Sequence, residues 1–149
     1  MGDCEAALAD CLRNGETPSS QLVDAIATVK VKCVEESIDM CHRLKQEVGS
    51  FALMADSGFN TMDFLNCCKF AEGDSRILMS KLARDRIKAF SKDANVGDED
   101  ELALCKQLVA GMGKNVQEGM NKQEAWDTEW KTVYALAEAV MARVQREGV

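Results

Sequence analysis

The chain has 149 residues, 46% of them hydrophobic and only one of them proline, and its 25 acidic side chains outnumber 18 basic ones for a net charge of −7. That length supports one hydrophobic core and excludes a second independent one, so residues 1–149 are read as a single domain. The acidic balance excludes the broad phosphate-tracking surface of a nucleic-acid binder, and the lack of any run of about 18 apolar residues excludes a transmembrane helix.

Helical periodicity runs through the sequence, and strand-like alternation is scarce. Cys4, Leu8, Cys11 and Leu12 make a short apolar stripe that stops at Asn14-Gly15, a pair suited to a left-handed helix end. Thr17 as N-cap and Pro18 at the first helical position start the next helix. Its apolar face runs through Leu22, Ile26, Val29, Cys33, Val34, Ile38, Cys41, Leu44 and Val48, about 45 Å of helix. Gly49-Ser50 ends it. Residues 51–65 form an apolar connection broken at Ser57-Gly58, expected to be largely buried, with a short helix near 62–68.

A further helix starts at Asp74 or Ser75, with Leu78, Met79, Leu82, Ala83, Ile87 and Phe90 facing inward. The cations Lys81, Arg84, Arg86, Lys88 and Lys92 follow along it, readable as an anion site but expected rather to complement the negative end of the helix dipole. Asp98 and Glu101 have the spacing of a capping box opening a helix that carries Leu102, Cys105, Leu108, Val109 and Met112. The last helix carries the seam Trp126, Trp130, Val133, Ala137, Val140 and Val144, with Tyr134 beside it, a surface suited to docking other domains or subunits. The pattern predicts an all-α fold, an up-down bundle of about four main helices.

The seven cysteines contain no C-x-x-C pair, and His42 is the sole histidine, so no metal site is expected. Cys4 with Cys11, and Cys33 with Cys41, lie about two helical turns apart, too far for a disulfide within one helix. Most are expected to act as small core residues in a reducing, intracellular compartment, since 1–5 carries neither the basic nor the apolar stretch of a secretion signal. Cys67-Cys68 is the pair with the strongest case for reactivity. His42 and Cys41, adjacent on a helix, point about 100° apart and form no thiol and base couple.

The segment Phe70-Ala71-Glu72-Gly73-Asp74 sets one carboxylate in a glycine turn before an apolar helix. Such an acid serves equally as a helix-entry charge or, partly desolvated beside a reacting C–H, as a general base. A long helix, a break at Gly49, an apolar connection, this turn, and a helix containing Leu82-Ala83-Arg84-Asp85 together resemble the C-terminal helical domain of the acyl-CoA dehydrogenase and oxidase superfamily. The resemblance covers about residues 18–90, with 93–149 as a helical extension.

It implies that Glu72 is the base removing the α-proton of an acyl-CoA thioester while hydride passes to FAD, and that Gly73 lies along the thioester. By the same resemblance Asp74, Ser75 and Arg76 border the flavin, and Gln46 and Gly49 fall near the FAD of a neighbouring subunit. The superfamily binds flavin with two further domains that have no counterpart in these 149 residues, so the implied role is a domain or subunit of an oligomeric flavoprotein. The alternative is a non-catalytic helical interaction subunit of a larger assembly.

Overall fold

The computed structural model describes residues 2–71, 73–95 and 97–147, and all regular structure among them is helical. Seven α-helices follow one another among these residues: α1 (Gly2–Asn14), α2 (Ser20–Glu47), α3 (Met62–Cys67), α4 (Ser75–Lys92), α5 (Glu99–Gln117), α6 (Lys122–Thr128) and α7 (Trp130–Arg146). Two 3-10 turns, Gly49–Leu53 and Phe59–Thr61, lie between α2 and α3. The all-α class expected from periodicity is therefore present, with α2, α4, α5 and α7 as the long elements.

Local chemistry sets the helix ends, in two places differently from expectation. The N-cap of α2 is Ser19, whose hydroxyl accepts from the Leu22 N–H at 3.2 Å; Thr17 and Pro18 precede the helix. Ser19 is itself a good capping residue with an extended backbone, so it takes the position and leaves Pro18 in the lead-in. Asp98 stands at the N-cap of α5 but makes no capping hydrogen bond from its side chain. It pairs instead with Arg146, and Glu101 is turned inward, so the expected capping box is replaced by ion pairs to α4 and α7.

The aromatic seam also differs from a single helix, because α6 ends at Thr128 and α7 begins at Trp130. Thr128 donates its hydroxyl to the Glu124 carbonyl at 2.8 Å. The Glu129 carboxylate is held by the Asn115 amide at 3.2 Å and the Thr132 hydroxyl at 3.4 Å. A side chain on Gly111 would strike that carboxylate, so glycine in α5 makes room for the junction. Trp126 consequently enters the core while Trp130 is left 51% exposed.

The core centres on α7, which touches α2, α4, α5 and α6. Its Val133, Leu136, Ala137, Val140, Met141 and Val144 recur at steps of three and four, and they meet Ala27 and Val31 of α2, Leu82 and Ala83 of α4, and Cys105 and Leu108 of α5. Leu82, Leu108, Leu136 and Met141 are fully buried, each stabilising the fold by about 1.5–3 kcal/mol through water exclusion. The inner face expected for α4 is present, with Leu78, Met79, Ile87 and Phe90 packed at its margin.

Candidate functional site

The turn before α4 is built by two side chains. The Asp74 carboxylate accepts from the backbone N–H groups of Arg76 (2.7 Å) and Ile77 (3.3 Å), capping α4. From α2, the Lys30 ammonium donates to the carbonyls of Lys69 (3.0 Å) and Gly73 (2.5 Å) and to the Ser75 hydroxyl (3.1 Å). This single cation fixes both sides of the turn, and no sequence signal marks a lysine within an amphipathic helix for that role. Glu72, the implied base, lies outside the described residues; its neighbours Ala71 and Gly73 are exposed.

A half-open groove of about 600 Å³ runs beside the turn, bounded by Phe70, Asp74, Arg76, Met79, Trp130 and Tyr134 among others. The Arg76 guanidinium sits over the Tyr134 ring at 5.3 Å from its centre, and Trp130 meets Tyr134 edge-on at 6.2 Å. Trp126, behind them, is covered by the Arg84 guanidinium at 5.2 Å. Gly73, Asp74, Ser75 and Arg76 are thus brought together. Gln46 and Gly49 are not: they are exposed at the other end of α2, with Gln46 about 24 Å beyond Lys30 at 1.5 Å per residue.

For FAD, the donor set available here is poor. All three line the groove, but the Asp74 carboxylate is committed to its helix cap and the buried Ser75 hydroxyl accepts from Lys30, so Arg76 is the cationic donor of that trio. These residues do not by themselves fit a flavin. Among the described residues no group of three or more His, Cys, Asp or Glu side chains is arranged to hold a metal ion.

Residues 51–65, expected to be largely buried, are mostly exposed. Ala52 is buried, but Phe51, Leu53 (82%), Met54 and Phe64 (79%) stand in solvent. The cause is α2, whose last buried residue is Ile38; beyond it the helix is flanked by the 3-10 turn at 49–53 and by α3 rather than enclosed by the core. Met40, Leu44 and Val48 add an exposed apolar stripe at four-residue spacing on this distal arm. Of the apolar face expected for α2 only Ile38 is buried; Leu22, Ile26, Val29 and Val34 are half-buried, Cys33 is exposed, and the core side of the helix is instead Ala25, Ala27, Thr28 and Val31.

A different kind of cluster joins α4, α5 and α7. Glu101, 0% exposed, accepts from Arg86 Nε at 2.6 Å and from Arg143 Nε at 2.7 Å. Arg86, expected to complement the α4 dipole from solvent, is buried with it; Gly97, at φ +115°, lies so close that any side chain there would strike the guanidinium. Burial depresses the basicity of Arg143, but its hydrogen bonds to Glu101 and Glu147 outweigh this and raise its pKa above the usual range.

Burial pushes the Cys105 thiol up, against a lowering by Arg86, so it is an inert core residue. Cys4 is likewise buried, whereas Cys33 and Cys67 are exposed and Cys11, Cys41 and Cys68 half-buried, so most cysteines are not core residues as expected. They fall on the arm and on helix margins, outside the core cluster. Cys4, Cys11, Cys41, Cys67, Cys68 and Cys105 are free thiols.

No protein-family model, curated protein or solved structure matches this chain.

Proposed function

We propose that the chain is a helical interaction module whose distal arm receives an amphipathic helix of another protein. One observation carries this reading: Met40, Leu44, Val48, Phe51, Leu53, Met54 and Phe64 are all exposed at the end of α2 and in the segment folded beside it. Apolar patches beyond a few hundred Å² mark interaction surfaces on soluble proteins, and each of these side chains contributes a large share of its area. The Met40, Leu44 and Val48 stripe offers a helical ridge, and the two methionines give an adaptable surface. Trp130 and Tyr134 supply a second, smaller apolar edge.

The test is selection of displayed amphipathic helices on the intact chain, followed by the variant Leu44→Asp/Phe51→Asp/Leu53→Asp. Binding lost with unchanged helix content and Tm supports the arm. Binding retained by the variant overturns it, as does a wild-type dimer in sedimentation that the same variant disperses, which assigns the arm to a second copy.

The second reading keeps the acyl-CoA dehydrogenase resemblance, with Glu72 as base in a domain completed by flavin-binding partners. The observation favouring it is the groove, which runs beside Gly73–Arg76 under the aromatic pair Trp130 and Tyr134. A visible flavin band in a reconstituted assembly, bleached by an acyl thioester and unresponsive in Glu72→Gln, is its expected signature. Bleaching that survives Glu72→Gln removes it.

A further inference from the structure

A second groove, of about 540 Å³, lies between the start of α2, the outer face of α4 and α7. Its floor includes the buried Leu82, Val140 and Arg86, and its lining holds five cations, Lys81, Arg86, Lys88, Lys92 and Arg143, against two carboxylates, Asp24 and Asp85. In a chain of net charge −7 this is a local reversal of sign.

The cations are not neutralised one for one. Lys81 (2.6 Å) and Lys88 (3.2 Å) share Asp85, with Asp24 also 4.0 Å from Lys81, while Arg86 and Arg143 share Glu101 and Arg143 also reaches Glu147 at 3.0 Å; five cations thus meet four carboxylates. Lys92 makes no ion pair with a described residue. Lys81, Lys88 and Lys92 fall on one stripe of α4, spread over about 16 Å at 1.5 Å per residue.

We propose that this groove binds linked phosphate groups, an anion of the triphosphate type lying along α4. A single phosphate cannot reach lysines spread over three helical turns, whereas a chain of phosphates can meet them in succession. Lys88 and Lys92 are exposed and act as point charges at the mouth; Arg143, held through Nε by Glu101 at 2.7 Å and through Nη1 by Glu147 at 3.0 Å, adds a fixed positive charge to the lining. Leu82 and Val140 beneath them are apolar and make no demand on the ligand. The site is independent of the arm and of the Glu72 turn, so it stands or falls separately from either functional reading.

Calorimetry on the full chain tests it, with inorganic tripolyphosphate and ATP as separate probes and sulfate at equal ionic strength as control. Tripolyphosphate is expected to bind measurably and to raise Tm, with the affinity falling as salt is added. ATP binding as tightly as tripolyphosphate assigns the source to a nucleotide tail, and tripolyphosphate alone assigns it to an inorganic polyphosphate. Lys88→Glu/Lys92→Glu should weaken binding about tenfold or more. Lys106→Glu/Lys114→Glu, the same charge change on α5, should leave it unchanged. Overturning results are no binding by either probe, an equal response to sulfate, or equal losses in the two double variants.

Discussion

Replacing Glu101 by glutamine keeps its shape and removes its charge, leaving two arginines facing one amide. Arg143 retains Glu147 at 3.0 Å and is partly exposed, so the loss falls mainly on Arg86, whose side chain is only 5% exposed. Breaking a buried ion pair from one side costs about 3–5 kcal/mol, because the remaining charge stays desolvated. The alternate Arg143 partner places Glu101→Gln at the lower end, about 3 kcal/mol, or roughly a 6–12 °C fall in Tm for a chain of this size.

Thermal and urea unfolding followed by circular dichroism at constant pH measure it, with Arg86→Met/Glu101→Leu as the companion variant. Removing charge from both sides leaves apolar groups of similar volume, so the double variant should recover most of the loss. A loss below about 1 kcal/mol for Glu101→Gln, or a double variant less stable than the single one, refutes the reasoning.

Gly97→Ala adds a side chain at φ +115° directly against the confined Arg86 guanidinium, and should cost more than about 1 kcal/mol in urea unfolding. Lys30→Met removes three bonds to the turn before α4; amide exchange at 69–76 should accelerate while the α7 core stays protected, and uniform acceleration would point to global destabilisation instead.

Asp24 and Asp85 should respond oppositely to pH. Burial chiefly, with Asp85 nearby, raises the Asp24 pKa above 3.8 despite Lys81 and Arg143, so its charge is a cost that appears as pH rises from 3.8 through the folded-state value. Asp24→Asn should therefore raise Tm more at about pH 7 than at about pH 3. Asp85 is pushed up by burial too, but hydrogen bonds from Lys81 and Lys88 prevail and hold it below 3.8. Its stabilisation is present above 3.8 and lost as pH falls through the folded value, so Asp85→Asn should lower Tm at about pH 7 and make little difference in strong acid. Tm difference curves that run parallel for the two variants would contradict both assignments.

Helix identity was legible because it depends on neighbours in sequence. Capping at Asp74, the inner stripe of α4 and the α7 seam follow from spacings of two to four residues. What was not legible depends on elements far apart in the chain. Glu101 reads as a first-turn acid until Arg143, on another helix, is placed 2.7 Å away. Glu129 carries no mark between Trp126 and Trp130 until the Asn115 amide of α5 holds its carboxylate, Gly111 leaves room for it and the helix breaks there. Lys30 carries no mark of the turn it secures.

Neither composition nor charge decides burial: the apolar connection at 51–65 is mostly exposed, whereas Glu101 and Arg86 are buried. Periodicity says which side of a helix can be covered; whether anything covers it depends on where the next element goes. After Gly49 the chain turns back beside α2 and reaches Lys30 by Lys69, so α3 occupies one flank and the Met40 to Val48 stripe stays open. An uncovered apolar stripe costs solubility and adds nothing to the fold of the isolated chain. That exposed stripe is the physical reason for the proposal to place function on the arm before the Glu72 turn.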